Sequence, residues 1–230
     1  MGAQPTVVFM HIGADVQLPT IMVRSVRRQN PGARIVQVAD PASPQIEGVD
    51  EVARRPMTHR NVMLFRMEGF AAFPADGPTW FLDTDMICVR PLALLGDDDP
   101  EVAVCVREFD TEAIFNHQVQ GADLSEYAGR TLGSVYPYVG CATYATDGRF
   151  WADCLADMRA LDPKFFNWYG DQESIRNVVR SGRYRVGALP ESCYACLPDR
   201  EPPGTEPVIF HYKGARKPLM LERATRDGLL

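Results

Sequence analysis

Residues 79–85 read Thr79-Trp80-Phe81-Leu82-Asp83-Thr84-Asp85. An apolar run of this kind, ended by acids, describes a buried strand that stops where its carboxylates can meet solvent. Residues two apart on a strand point to the same side, so Asp83 and Asp85 are expected to converge at its end. What precedes this stretch decides the fold. Thr6–Ile12 reads as a first buried strand. Pro19–Gln29 carries Ile21, Met22, Val23 and Val26 on a helical face, with Pro19 in the first turn and Pro31-Gly32 as the stop. Ile35–Val38 is a second strand, followed by the turn-rich residues 40–45, and Val49–Ala53 a third, short one. Asn61–Phe73 has helical periodicity through Val62, Leu64, Phe65 and Phe70. This repeated strand–helix–strand order predicts an α/β fold, a mostly parallel central sheet with helices on both faces.

Beyond Asp85 the pattern is less regular. Pro100–Val106 and Gly140–Thr146 read as strands. Asp147–Leu161 reads as an amphipathic helix capped by Asp147, and Asp171–Ser181 as a further helix with Asp171 at its N-cap. Tyr184–Leu189 and Pro207–His211 are short strands. The polar stretch Arg107–Tyr136 reads as a mobile flap or binding insertion. No internal repeat or linker divides the chain, so residues 1–230 are expected to form one domain.

The totals exclude several classes. The chain has 230 residues, 46% hydrophobic and 23% charged, an ordinary globular composition. A net charge of -6 argues against a duplex-DNA binder and any nucleic-acid partner held by a broad basic face. No apolar run approaches the roughly 18 residues of a transmembrane helix. The N-terminal residues lack a basic leader and read as the approach to the first strand. The six cysteines are scattered, and Cys193/Cys196 form a lone CxxC pair without the partners of a zinc site. A reducing, cytoplasmic setting fits this usage.

Three groups of residues can carry chemistry. Asp83 and Asp85 offer the oxygen ligands that hard divalent cations take, and Mg²⁺ or Mn²⁺ bound so often carries a substrate's phosphates. His211-Tyr212-Lys213-Gly214-Ala215-Arg216-Lys217 follows the apolar strand Val208-Ile209-Phe210. His211 can add a nitrogen ligand, Gly214 lets backbone approach a phosphate, and Lys213, Arg216 and Lys217 offer charge to a leaving diphosphate. Asp171 and Gln172, at a helix start, can hold sugar hydroxyls near a reacting carbon.

In order, FLDTDMICVRPL, YVGCATYA, DQESI and HYKGARKP resemble the family 8 retaining glycosyltransferases of the GT-A fold, relatives of bacterial lipopolysaccharide galactosyltransferases and glycogenin. The resemblance covers nearly the whole chain and is loosest over Arg107–Tyr136. It implies a Rossmann-like nucleotide-diphospho-sugar transferase, with residues 1–106 the nucleotide-sugar half and 107–230 the acceptor-binding and catalytic half. By the same resemblance Asp83, Asp85 and His211 are the metal ligands, with Mn²⁺ or Mg²⁺ as cofactor. Gly214, Lys217 and Asp83 would serve the diphosphate, Arg66 the donor side, and Asp171 with Gln172 the transferred sugar. The end of the first strand, His11 to Asp15, falls where the family holds the nucleoside. The implied partners are a UDP-hexose donor and an acceptor whose identity is not legible. The Lys213–Arg226 segment can at most make weak peripheral contact with an anionic membrane. One departure stands out: Tyr138 occupies the place of a family Asn that helps hold the donor sugar.

Two other readings compete. A phosphohydrolase of the haloacid dehalogenase type also ends a strand in Asp-x-Asp, but normally its first strand, whereas two or three strands precede Asp83. A non-catalytic nucleotide-sugar-binding module is the other, and Tyr138 is the feature that favours it.

Overall fold

The computed structural model describes residues 4–93, 100–119, 122–166 and 168–230. In chain order the first half comprises β1 (Thr6–His11), α1 (Gln17–Gln29), β2 (Arg34–Ala39), β3 (Glu51–Arg54), α2 (Val62–Ala72), β4 (Asp76–Leu82), β5 (Met86–Cys88) and β6 (Val102–Val106). The second half comprises β7 (Gln118–Val119), β8 (Ala122–Asp123), α3 (Leu132–Val135), β9 (Tyr138–Asp147), α4 (Arg149–Ala160), α5 (Gly170–Arg180), β10 (Val186–Pro190), α6 (Glu191–Tyr194), β11 (Ile209–His211) and α7 (Lys217–Arg226).

The central sheet has seven strands in the order β10-β6-β9-β4-β1-β2-β3. All pairings are parallel except those of β9, which runs against both β4 and β6. The arrangement is compatible with a Rossmann-like fold. Strand alternation explains why both faces must be covered. Val7, Phe9, Trp80 and Leu82 pack on one side with Ile21, Met22 and Val26 of α1. Val8 and Phe81 pack on the other with Phe70 of α2 and Trp151 of α4. There Phe81 meets Phe70 at 5.0 Å and Trp151 at 5.1 Å between ring centroids. Side chains of this size each contribute about 1.5–3 kcal/mol on full burial, so the central strands are anchored from both sides. Among the described residues no helix is long and apolar enough to cross a membrane.

Four expectations change. Asp147 is not the cap of α4: Gly148 holds that position, although the Asp147 carboxylate still accepts the Arg149 N–H at 2.8 Å. Asp171 lies inside the first turn of α5, and Tyr169, in the left-handed region at φ 61°, takes the N-cap. Periodicity located both helices but not their caps, because the chain enters each through a turn whose shape is set by packing. The short strand β5, absent from the sequence reading, pairs antiparallel with β11.

The fourth change concerns Arg107–Tyr136, of which residues 120 and 121 lie outside the described residues. Its described part holds a small hairpin, β7 with β8, and the short helix α3. Phe115, Leu124, Val135 and Tyr136 form a separate apolar cluster with Phe165. Tyr136 stacks on Tyr169 at 4.6 Å. Beneath it the buried Arg176 and Glu173 pair with each other, Arg176 donates to the Val135 carbonyl at 2.8 Å, and the Tyr127 hydroxyl donates to Glu173 at 3.2 Å. Aromatic residues spaced too irregularly to show a period thus bind the insertion onto α5.

Candidate functional site

The acids occupy a turn rather than a strand. β4 ends at Leu82, and the Asp83 N–H closes it by donating to the Cys141 carbonyl at 2.9 Å. Asp83-Thr84-Asp85 then bends the chain into β5, whose three residues are all buried. The expected same-side strand geometry is therefore replaced by a turn that still brings the carboxylates together. Antiparallel pairing of β5 with β11 sets His211 opposite Met86, and the Tyr212 N–H donates to the Asp85 carbonyl at 2.8 Å. This register delivers His211 beside Asp85, with Nε2 and Oδ1 3.3 Å apart. One ligand atom from each of Asp83, Asp85 and His211 lies within 4.8 Å of the others.

Arg66 ties this triad to Asp171. It projects from α2, its side chain only 7% exposed, and pairs with Asp83 at 2.8 Å and Asp171 at 3.1 Å. It also donates to the Gly140 carbonyl. That carbonyl is available because the β6–β9 ladder is irregular: Val104 faces Thr143, but the next residue, Cys105, faces Val139. The bulge leaves residues 140–142 without a partner in β6, while Ala142 stays paired with Leu82 of β4; such bulges are common beside functional sites. A Cβ at residue 140 would stand 2.6 Å from the Asp171 Oδ2, so any larger residue there must displace that carboxylate.

The electrostatics follow from three carboxylates crowding one permanent cation. Burial pushes Asp83 up to about 6, with Arg66 opposing the rise and Asp85 adding to it. Asp85 stays below the usual carboxylate range: burial acts against it, but His211 and Lys217 prevail. Burial presses His211 down, yet neighbouring Cys141 and Asp85 hold it up at about 10. A proton on His211 and a cation held by the three groups would thus compete for the same place.

These groups border a cleft of about 580 Å³, within the size range of small-ligand sites. Asp83, Asp85, His211, Arg66, Asp171, Gln172, Gly214 and Lys217 all line it. Gly214 has φ +65°, a left-handed conformation that glycine adopts without strain, and Lys217 opens α7. A cleft lined by Asp83, Asp85 and Asp171 together with Lys213 and Lys217 suits a cation and an anion held together.

His11 stands apart. It is buried at the end of β1, where its Nε2–H donates to the Asp15 carbonyl at 2.9 Å and its Nδ1 faces the Gln37 amide at 3.4 Å. It braces the loop and does not line the cleft. Its neighbour Ile12 borders a second cavity of about 510 Å³ with residues 57–60 and Val62. Tyr138 does not line the cleft either; it packs against the apolar layer on the α2 and α4 side.

Sequence reading passed over Arg107, Asp110, Cys141, Trp168 and Tyr169, which also line the cleft. Arg107 donates to the Gln172 side chain at 2.9 Å. The insertion's length was a signal that it borders a site, but no local spacing marks which of its residues turn inward.

No protein-family model matches the chain, and comparison with curated proteins finds no relative.

Proposed function

We propose that this chain is a metal-dependent glycosyltransferase of the GT-A type, similar to the family 8 retaining enzymes, moving a hexose from a UDP-sugar to an acceptor hydroxyl. The observation that carries the reading is the meeting of Asp83, Asp85 and His211 within 4.8 Å, in a cleft also lined by Arg66, Asp171 and Lys217. Two carboxylates and an imidazole fit a borderline cation, Mn²⁺ in preference to Mg²⁺. Bound there, that ion would offset the charge developing on the departing diphosphate.

The chain's own residues do the rest. Lys217 and the backbone at Gly214 hold the diphosphate and stabilise it as the bond to the sugar breaks. Arg66 fixes Asp171, which gives electrostatic support to the oxocarbenium-like carbon, and Gln172 orients the sugar hydroxyls. The acceptor oxygen bonds to the anomeric carbon on the face the phosphate leaves, and its proton passes to the leaving phosphate oxygen. That route gives retention without a strong protein base. The nucleoside belongs in the second cavity, beside Ile12. The acceptor belongs against the insertion and Trp168, which is 41% exposed while Trp80 and Trp151 are buried. A peripheral contact of the C-terminal segment with an anionic membrane would be weak, since Arg216 pairs with Asp199 at 2.6 Å and both Arg223 and Arg226 with Asp227.

A thermal-shift screen of nucleotide sugars with and without Mn²⁺ tests the assignment. A UDP-hexose should raise the melting temperature only with the metal. No response to any nucleotide sugar would sink it, and p-nitrophenyl phosphate hydrolysis at enzymatic rates would favour the phosphohydrolase. Asp171→Asn should lower transfer at least about 100-fold while sparing UDP binding.

A further inference from the structure

Glu191 is a buried carboxylate that takes no part in the proposed transfer. It begins α6, and its side chain is 0% exposed. An ionised group so deeply buried persists only where donors and a counter-charge surround it. Its Oε2 accepts the backbone N–H groups of Glu108 at 2.8 Å and Phe109 at 2.9 Å. Its Oε1 accepts from the Lys213 ammonium at 3.1 Å. Lys213 is 32% exposed along its side chain and lines the cleft. The two amides belong to the segment whose flanking residues, Arg107 and Asp110, line the same cleft. A second contact reinforces the junction, as the Ser192 N–H donates to the Glu108 carboxylate at 2.7 Å.

We infer that Glu191 is a positioning residue: it fixes the Lys213 ammonium as an anion anchor for the diphosphate and pins residues 107–109 beside it. The inference rests on the proposed function for the identity of the anion. A lysine has a flexible stem and a point charge, and it loses much rotamer freedom when it grips a ligand. Glu191 takes one of the three ammonium hydrogens and so aims the other two before any ligand arrives. That ordering is done in advance, which strengthens binding without a new contact. The same carboxylate reaches the insertion, so the anion side and the Arg107–Gln172 side of the cleft share one fixed point. Of the further buried ion pairs, Arg66 with Asp171 belongs to the metal side of the cleft, and Glu173 with Arg176 lies beneath the aromatic cluster and does not line it.

The experiment compares wild type, Glu191→Gln, Lys213→Gln and the double variant by calorimetric titration, once with UDP plus Mn²⁺ and once with inorganic pyrophosphate without metal. Glu191→Gln keeps an oxygen for the two backbone N–H groups but turns an amide towards Lys213. It should weaken both ligands roughly 3–10-fold. Lys213→Gln should do at least as much, and the double variant should be no weaker than Lys213→Gln alone. A merely structural glutamate would lower the melting temperature and leave the affinity of the folded protein unchanged. Equal pyrophosphate affinity in wild type and folded Glu191→Gln, additive losses, or no pyrophosphate binding by wild type overturns the inference. Should Glu191→Gln fail to fold, unchanged pyrophosphate affinity in Lys213→Gln overturns it equally. Wild type that binds pyrophosphate with this dependence but no UDP–Mn²⁺ refutes the transferase reading and leaves Glu191 in its role.

Discussion

Replacing Arg66 by methionine tests the wiring of the site without any ligand. Methionine keeps a long apolar stem, so packing against α2's neighbours survives while the guanidinium is lost. Three partners are then stranded: Asp171, with a side chain 8% exposed, the Gly140 carbonyl, and Asp83, 31% exposed. Removing one member of a buried ion pair costs about 3–5 kcal/mol. An orphaned carbonyl would cost about 1–3 kcal/mol alone. These terms overlap, and solvent reaching Asp83 screens its share, so the total expected is about 3–5 kcal/mol. At roughly 2–4 °C per kcal/mol for a chain of this size, the melting temperature should fall by about 6–20 °C. The loss has a definite pH dependence. Arg66 is what opposes the rise of Asp83 above its ordinary 3.8 to about 6. Without Arg66 that value climbs further, so the folded variant binds more protons than the unfolded chain and its stability falls as pH rises. Urea denaturation at pH 5 and pH 8 measures both effects, and the deficit should be larger at pH 8. Arg66→Lys, which keeps a charge but not the fork that spans two carboxylates, should recover only part. A loss below about 1 kcal/mol at pH 8, or a larger loss at pH 5, would refute the reasoning.

Further outcomes follow from the same geometry. Gly140→Ala should displace the Asp171 carboxylate, costing about 1–3 kcal/mol by overpacking and weakening transfer more than UDP binding; unchanged kcat would remove Gly140 from the site. Mn²⁺ affinity of the apoprotein should rise roughly tenfold per pH unit near neutrality as the His211 proton is displaced, and more steeply below about 6 where Asp83 is also protonated. Calorimetry in buffers of different ionisation enthalpy checks that release, and a flat pH profile speaks against His211 as a ligand. In the ion-free protein the raised His211 value contributes stability that is complete below 6.5 and is lost as pH rises through about 10, which denaturation across that window measures. Tyr127→Phe removes the hydroxyl shared by Glu173 and Arg176 and should destabilise by about 1–3 kcal/mol; limited proteolysis should then cut first within residues 107–136, and cleavage elsewhere would argue against this hydroxyl as what holds the insertion on α5.

Local pattern carried the architecture. A buried strand such as Trp80-Phe81-Leu82 announces itself because both its faces must be apolar, and α1 because its apolar residues recur at helical spacing. Those are properties of neighbouring residues, so β1, α1, β2, α2 and β4 could be read in order and the mostly parallel sheet inferred. The residue types of the site were legible for a similar reason: paired acids, a histidine after a strand, and a glycine and lysine behind it suggest chemistry wherever they lie. Tertiary structure alone decided how they meet. Asp83 and Asp85 converge through a turn into β5, and only the β5–β11 register brings His211 to them. Arg66 joins Asp83 to Asp171 and also takes the Gly140 carbonyl, which a ladder irregularity leaves without a β6 partner, and Glu191 reaches Lys213 across a loop junction. Contacts between segments far apart in the chain leave no periodic trace in it, since their partners are chosen by strand register and packing rather than by spacing.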